Sequence, residues 1–141
     1  MSRLRLRVTE HDRRDVESEL RRRLYAFNVD TTGIDDGRLL VADVVDEAGE
    51  LVGGLFGWTW GGTAFIDLLF VDAERRGRGL GSRLLAAAED EARARGCGQL
   101  VLATHGFQAP GFYAARGFTE AGRVDDYPRG SAQLYLSKRL S

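Results

Sequence analysis

Three glycines, Gly77, Gly79 and Gly81, alternate with other residues in the stretch Arg75-Arg76-Gly77-Arg78-Gly79-Leu80-Gly81-Ser82. An apolar segment ending at Val71 precedes it, and Leu80, Leu84, Leu85, Ala88 and Ala92 follow at helical spacing. A glycine-rich turn between a strand and a helix presents successive backbone N–H groups and the positive end of a helix dipole. The glycines clear side chains from the approach, while Arg75, Arg76 and Arg78 add positive charge. Such a turn binds phosphate.

Two familiar phosphate-binding classes do not fit. A nucleotide-hydrolase P-loop ends in Gly-Lys-Ser/Thr, whereas this chain reads Gly81-Ser82 with no Lys. A dinucleotide fingerprint starting at Gly77 and Gly79 meets Ser82 at its third glycine position. It also needs an acidic residue about 20 residues on, where Thr104 and His105 stand.

A third class fits. Arg76-Gly77-Arg78-Gly79-Leu80-Gly81 resembles the pattern Arg/Gln-x-x-Gly-x-Gly/Ala of the GNAT superfamily of N-acetyltransferases. Downstream, Ala109-Pro110-Gly111-Phe112-Tyr113-Ala114-Ala115-Arg116-Gly117-Phe118 is similar to its second signature, a helix carrying Phe-Tyr with Gly-Phe four residues beyond the tyrosine. The two occur in the right order, separated by a helix and a strand. The resemblance covers the whole chain in element order and residues 63–122 in motif detail.

That resemblance implies an acetyl-CoA cosubstrate and no metal. The backbone from Arg76 through Gly77, Arg78, Gly79, Leu80 and Gly81 to Ser82 would hold the coenzyme diphosphate, with Phe112 beside it. The pantetheine arm would lie along Leu69, Phe70 and Val71, in a slot where that strand and the next parallel strand splay apart. Tyr113 would stand near the coenzyme sulfur. A phenol of pKa about 10 is a weaker acid than a thiol at about 8.5, so full proton transfer is uphill by roughly 2 kcal/mol. A hydrogen bond that strengthens as charge develops suits Tyr113 better.

Attack on a thioester needs a neutral amine. An alkylamine of pKa about 10.4 is neutral in only about one part in 2,500 at pH 7, a deficit of roughly 4 to 5 kcal/mol. A base is therefore useful. Asp67 is the leading candidate, as the lone carboxylate in the apolar run Ala64-Phe65-Ile66-Asp67-Leu68-Leu69-Phe70, where it is expected on the same face as Leu69. His105, just past the next strand, is the second, because an unperturbed imidazole titrates near 6.5. His11 reads as structural or solvated. The acceptor pocket is expected at Trp58, Trp60, Phe107 and Tyr127, with the loop at 28–38. Residues 125–130 would overhang the site or form a subunit contact. Many relatives carry Asn ahead of the tyrosine helix; here the run is Thr104-His105-Gly106-Phe107-Gln108, and Gln108 is the candidate substitute.

The elements that must position these residues follow from periodicity. Leu4, Leu6 and Val8 alternate with Arg3, Arg5 and Arg7 in a run beginning at Met1 and Ser2, which predicts a half-buried strand. Thr9 and Asp12 resemble a capping box for a helix with Val16, Leu20, Leu24 and Phe27 on one face and a solvated arginine face elsewhere. Turn formers from 28 to 38 predict a loop. Strands are expected at 39–46, Leu51–Trp60 and Thr63–Val71, then a helix to Gly96, a strand at 99–104, a short helix at 110–116 opened by Pro110, and strands at 118–123 and 132–140. The fold class is α/β (α+β): one GNAT-like domain over 1–141 with a mixed sheet of about seven strands flanked by helices. The unit from Thr63 through the long helix to Thr104 is a crossover, which makes its two strands parallel.

Composition narrows the function classes. At 43% hydrophobic and 29% charged, the chain is neither disordered nor fibrous. A net charge of −1 gives no general attraction to nucleic acid or an anionic membrane. No run reaches the roughly 20 apolar residues of a membrane span, the N-terminus lacks a signal-peptide core, and one cysteine, Cys97, allows no internal disulfide. A cytoplasmic enzyme acting on a small-molecule amine is expected, with homodimers common in such folds. The alternatives are acetylation of a protein or peptide and a non-catalytic acyl-CoA sensor.

Overall fold

The computed structural model describes residues 3–141, so the first two residues of the alternating N-terminal run lie outside it. The chain forms two compact units, Met1–Ile34 and Asp35–Ser141.

Among its described residues the first unit holds one helix, α1 (Arg14–Thr32). The strand expected at 4–8 is absent. Leu4, Leu6 and Val8 are 97%, 90% and 91% exposed in irregular backbone. Alternation alone does not make a strand, because its N–H and C=O groups need a neighbouring strand to pair with. The capping box is also replaced. Thr9 Oγ1 accepts from the His11 N–H at 3.1 Å, and the N-cap residue is Arg13, with no side-chain cap. Arg13 instead forks onto Asp15, which puts a carboxylate in the first turn and holds it at a pKa of about 2 through that hydrogen bond. The arginine face is solvated as expected, with Arg21 on Glu17 and both Arg22 and Arg23 on Glu19.

The helix runs five residues into the expected loop. Asn28 to Thr32 stay helical because extension adds one hydrogen bond per residue once a helix exists. Thr32 Oγ1 also donates back to Asn28 O at 2.7 Å. Gly33 ends the helix at φ 74, its N–H donating to Val29 O.

The second unit is a six-stranded sheet: β1 (Arg38–Val45), β2 (Leu51–Trp60), β3 (Thr63–Val71), β4 (Gln99–His105), β5 (Thr119–Asp125) and β6 (Ala132–Arg139). Among the described residues six strands stand where about seven were expected, since residues 4–8 form none. Their order is β1-β2-β3-β4-β6-β5, antiparallel except for the parallel pair β3 and β4. Helix α2 (Leu80–Ala94) makes the crossover between those two, and the short α3 (Pro110–Ala114) follows β4. Leu85, Ala88 and Ala92 of α2 pack on one face of the sheet in one core with Leu40, Leu55, Ala64, Ile66, Leu100 and Leu102. Each fully buried leucine contributes about 1.5–3 kcal/mol.

Two features of this sheet position the site. First, β3 and β4 pair only from Thr63–Gln99 to Ile66–Leu102, although β4 continues to His105 and β3 to Val71. Second, β3 bulges against β2. Phe56 pairs with Leu68 and Gly57 with Ile66, which leaves Asp67 extra. Gly57 is required at that point, since a Cβ there would lie 2.0 Å from the Phe65 carbonyl oxygen.

Candidate functional site

Where β3 and β4 separate, a cleft of about 750 Å³ opens. Leu69, Phe70 and Val71 form one wall, Ala103 and Thr104 the other, and Gly77, Gly79, Leu80, Gly81 and Ser82 the end. Phe107, Gln108, Phe112, Tyr113 and Arg116 close the side. The two sequence motifs, some thirty residues apart in the chain, thus line one space.

The glycine turn is built for an anion. Gly77 and Gly79 adopt φ 79 and 78, a region that side chains disfavour, and open space surrounds the position of a Cβ at each. Gly79 is the N-cap of α2 and offers no side chain, so the first-turn amides of the helix keep their hydrogen-bonding capacity for a ligand. Arg76 reaches back, its Nε donating to Val71 O at 3.0 Å and its guanidinium lying 5.5 Å from the Phe70 ring. Arg78 stands outside the cleft lining.

The turn and α3 are locked together. A Cβ at Gly81 would lie 3.3 Å from Phe112 Cζ. Arg116 stacks 3.8 Å over the Phe112 ring, its Nη1 donates to Phe112 O at 2.8 Å, and its Nη2 donates to Ser82 Oγ. Sequence reasoning missed Arg116 as a cleft residue; its i+4 spacing from Phe112 was the available signal.

Tyr113 is buried between Phe112 and Phe118, edge-on to both at 5.1 and 5.7 Å. Burial pushes its phenol above the ordinary value of 10.0, so it stays protonated at neutral pH. At the free end of β4, Gln108 Oε1 accepts from the His105 N–H at 2.7 Å and from Thr104 Oγ1 at 3.4 Å. The glutamine thus occupies backbone hydrogen-bonding capacity that the departing β3 leaves unpaired.

Asp67 does not share a face with Leu69. Leu69 pairs with buried Leu55 and packs on the core, whereas Asp67 and Leu68 are both exposed. The bulge inserts one residue and breaks the alternation on which the expectation rested. His105 is half-buried, with Nδ1 3.2 Å from Tyr127 O; its ring stacks on Phe107 at 5.4 Å and meets Tyr127 edge-on at 5.2 Å. Phe107 and Tyr127 are 65% and 52% exposed, so this aromatic trio forms an open wall whose Phe107 also borders the cleft. Trp58 and Trp60 are half-buried on β2, and Trp58 stacks on Phe65 at 5.0 Å. Both stand outside the cleft lining.

Among the described residues, no group of three or more His, Cys, Asp or Glu side chains could hold a metal ion, and no helix is long and apolar enough to cross a membrane.

A cleft of this kind, opened by parting parallel strands beside a glycine turn, is the arrangement that the resemblance to an acyltransferase implies. The family model described as Acetyltransferase (GNAT) family matches residues 5–118, and the chain belongs to that family. It is 49% identical over 98 residues to Blasticidin-S acetyltransferase of Streptomyces morookaense, covering 67% of this chain and 70% of that one. It is 36% identical over 126 residues to an acetyltransferase of Agrobacterium fabrum, covering 89% and 92%. The crystal structure of an acetyltransferase from Bacillus cereus superposes with a TM-score of 0.78 at 31% identity, over 95% of this chain and 98% of that one.

Proposed function

We propose that this protein transfers an acetyl group from acetyl-CoA to a primary amine of a small molecule by direct attack on the thioester. One observation carries the reading: the unpaired stretch between β3 and β4 forms a slot that ends on the uncapped N-terminus of α2. That cradle fits a diphosphate, since its glycines clear the approach and Arg75 and Arg76 stand beside it. The free backbone of Leu69, Phe70 and Val71 suits the amide-bearing pantetheine arm. Acetyl-CoA supplies an activated acyl carbon with a thiol leaving group.

The chain's own residues then have distinct tasks. Residues 76–82 and Phe112 hold the coenzyme. Tyr113, protonated and buried, donates a hydrogen bond to the sulfur as negative charge grows there. Asp67 and His105 are the two candidate bases. Phe107 and Tyr127, with the Trp58 and Trp60 strand, are the candidate acceptor walls. A small-molecule acceptor is favoured by the similarity to Blasticidin-S acetyltransferase, and the coenzyme requirement by itself suits a cytoplasmic enzyme.

The test is thiol release from acetyl-CoA over a panel of small amines and peptides, with mass spectrometry of the product. Mono-acetylated small amine is the expected outcome. Tight coenzyme binding with no release for any amine would reduce the protein to a sensor, and turnover of peptides alone would move the acceptor class.

A further inference from the structure

Building on the acetyltransferase reading, we infer that His105 Nε2 is the base that takes the amine proton and that the main-chain carbonyl of Tyr127 positions it. Three contacts fix the imidazole: Phe107 on its face, Tyr127 against its edge, and Tyr127 O at 3.2 Å from Nδ1. A carbonyl oxygen only accepts hydrogen bonds, so Nδ1 carries the proton in the neutral ring and Nε2 keeps its lone pair.

The carbonyl is itself anchored. Asp126 N donates to Ser131 O, Ser131 N to Pro128 O and Gly130 N to Asp126 Oδ1, while Gly106 N, next to His105, donates to Ala132 O. The first three close the β5–β6 turn on itself, and the last ties its end to the end of β4.

Register places the ring on the sheet face away from α2, beside the cleft wall formed by Ala103 and Thr104. Ile66 pairs with Leu102, and both are buried with α2, as is the pair Ala64 and Leu100. Alternation along β4 therefore turns Ala103 and His105 to the opposite face. Asp67 reaches that face too, but it has no hydrogen bond or ion pair to any described residue, so nothing aims its lone pairs. A base held in one orientation meets the geometric demand of proton abstraction, and an exposed, untethered carboxylate does not.

The titratable and charged groups on the flanking elements are Tyr127, Asp125, Asp126 and Arg129 of the turn, Arg123 of β5, Tyr135 of β6 and Asp67 of β3. Asp125 is already paired with Arg123 at 2.6 Å. In the transfer, the amine nitrogen bonds to the acyl carbon, the carbon–sulfur bond breaks, the surplus amine proton goes to Nε2, and the sulfur leaves as a thiolate that accepts a hydrogen bond from Tyr113. The imidazolium then releases its proton to solvent, which restores the base, and the thiolate takes one up from solvent.

The experiment combines nitrogen-15 NMR of the histidine rings with kinetics and calorimetry. In the free protein near neutral pH, His105 is expected to show a protonated Nδ1 and an unprotonated Nε2, assigned against a His11 variant. His105→Gln should lower kcat/KM by about 100-fold or more and remove the acidic limb of its pH profile. Its coenzyme A affinity, measured by calorimetry, should stay within about twofold, which also verifies folding. Imidazole should partly rescue His105→Ala. A proton on Nε2, or an acidic limb that survives His105→Gln and vanishes in Asp67→Asn, overturns the assignment. Wild-type protein that binds no coenzyme A overturns the acetyltransferase reading itself and takes the base with it.

Discussion

The two sides of β4 differ along a single strand. Toward β6 it pairs at every position from Gln99 to His105; toward β3 it pairs at four and then parts. The sealed side buries Leu134 and Leu136 and belongs to the core. The open side leaves backbone groups to Gln108 and to the cleft. An opening in a sheet thus concentrates unmet hydrogen-bonding capacity at one place, and here the glycine turn and Tyr113 gather around that place.

Substitutions can break this contrast, beginning with the largest expected effect. Gly79→Glu puts a side chain and a negative charge at a left-handed position on the floor of the cleft. Coenzyme affinity should fall by about a thousandfold or more, and unchanged binding by calorimetry would remove the cradle from its role. Gly57→Ala presses a methyl onto the Phe65 carbonyl, destroys the bulge beside the splay and should lower stability by about 3 kcal/mol. Urea unfolding reads that loss.

Smaller effects sharpen the contrast. Tyr113→Phe should reduce kcat by about 10- to 100-fold while coenzyme affinity holds, and equal loss of both would deny the hydrogen-bond role. The same tyrosine gives the open side a pH signature. Its folded-state pKa lies above 10.0 because of burial, so its effect is absent below that value. As pH rises through about 10, the unfolded state loses the proton first and stability falls. Tyr113→Phe should flatten that alkaline decline in thermal melts; an identical decline in both proteins would assign it elsewhere.

Much of this arrangement was legible in the residues. The helical spacing from Leu80 to Ala92, the crossover and the two motifs depend on local pattern, and the structure realises each. What escaped depends on partners. Leu4, Leu6 and Val8 have the period of a strand and no neighbour to make them one. Residues 28–32 include the turn formers Asn28 and Asp30, yet a helix already under way carries them. Asp67 departs from the face that alternation gives it because a bulge is set by cross-strand register. For Arg116 the spacing to Phe112 is local and legible, but its contact with Ser82, 34 positions away, is not.

The Phe112 ring stands where a side chain on Gly81 would begin, and Arg116 bridges Phe112 and Ser82, which has an engineering consequence. The turn and the tyrosine helix behave as one mechanical part, so neither end of the cleft can be retuned alone. Enlarging Gly81 would shove the aromatic pair, and reshaping α3 to admit a bulkier acceptor would be felt at the first turn of α2.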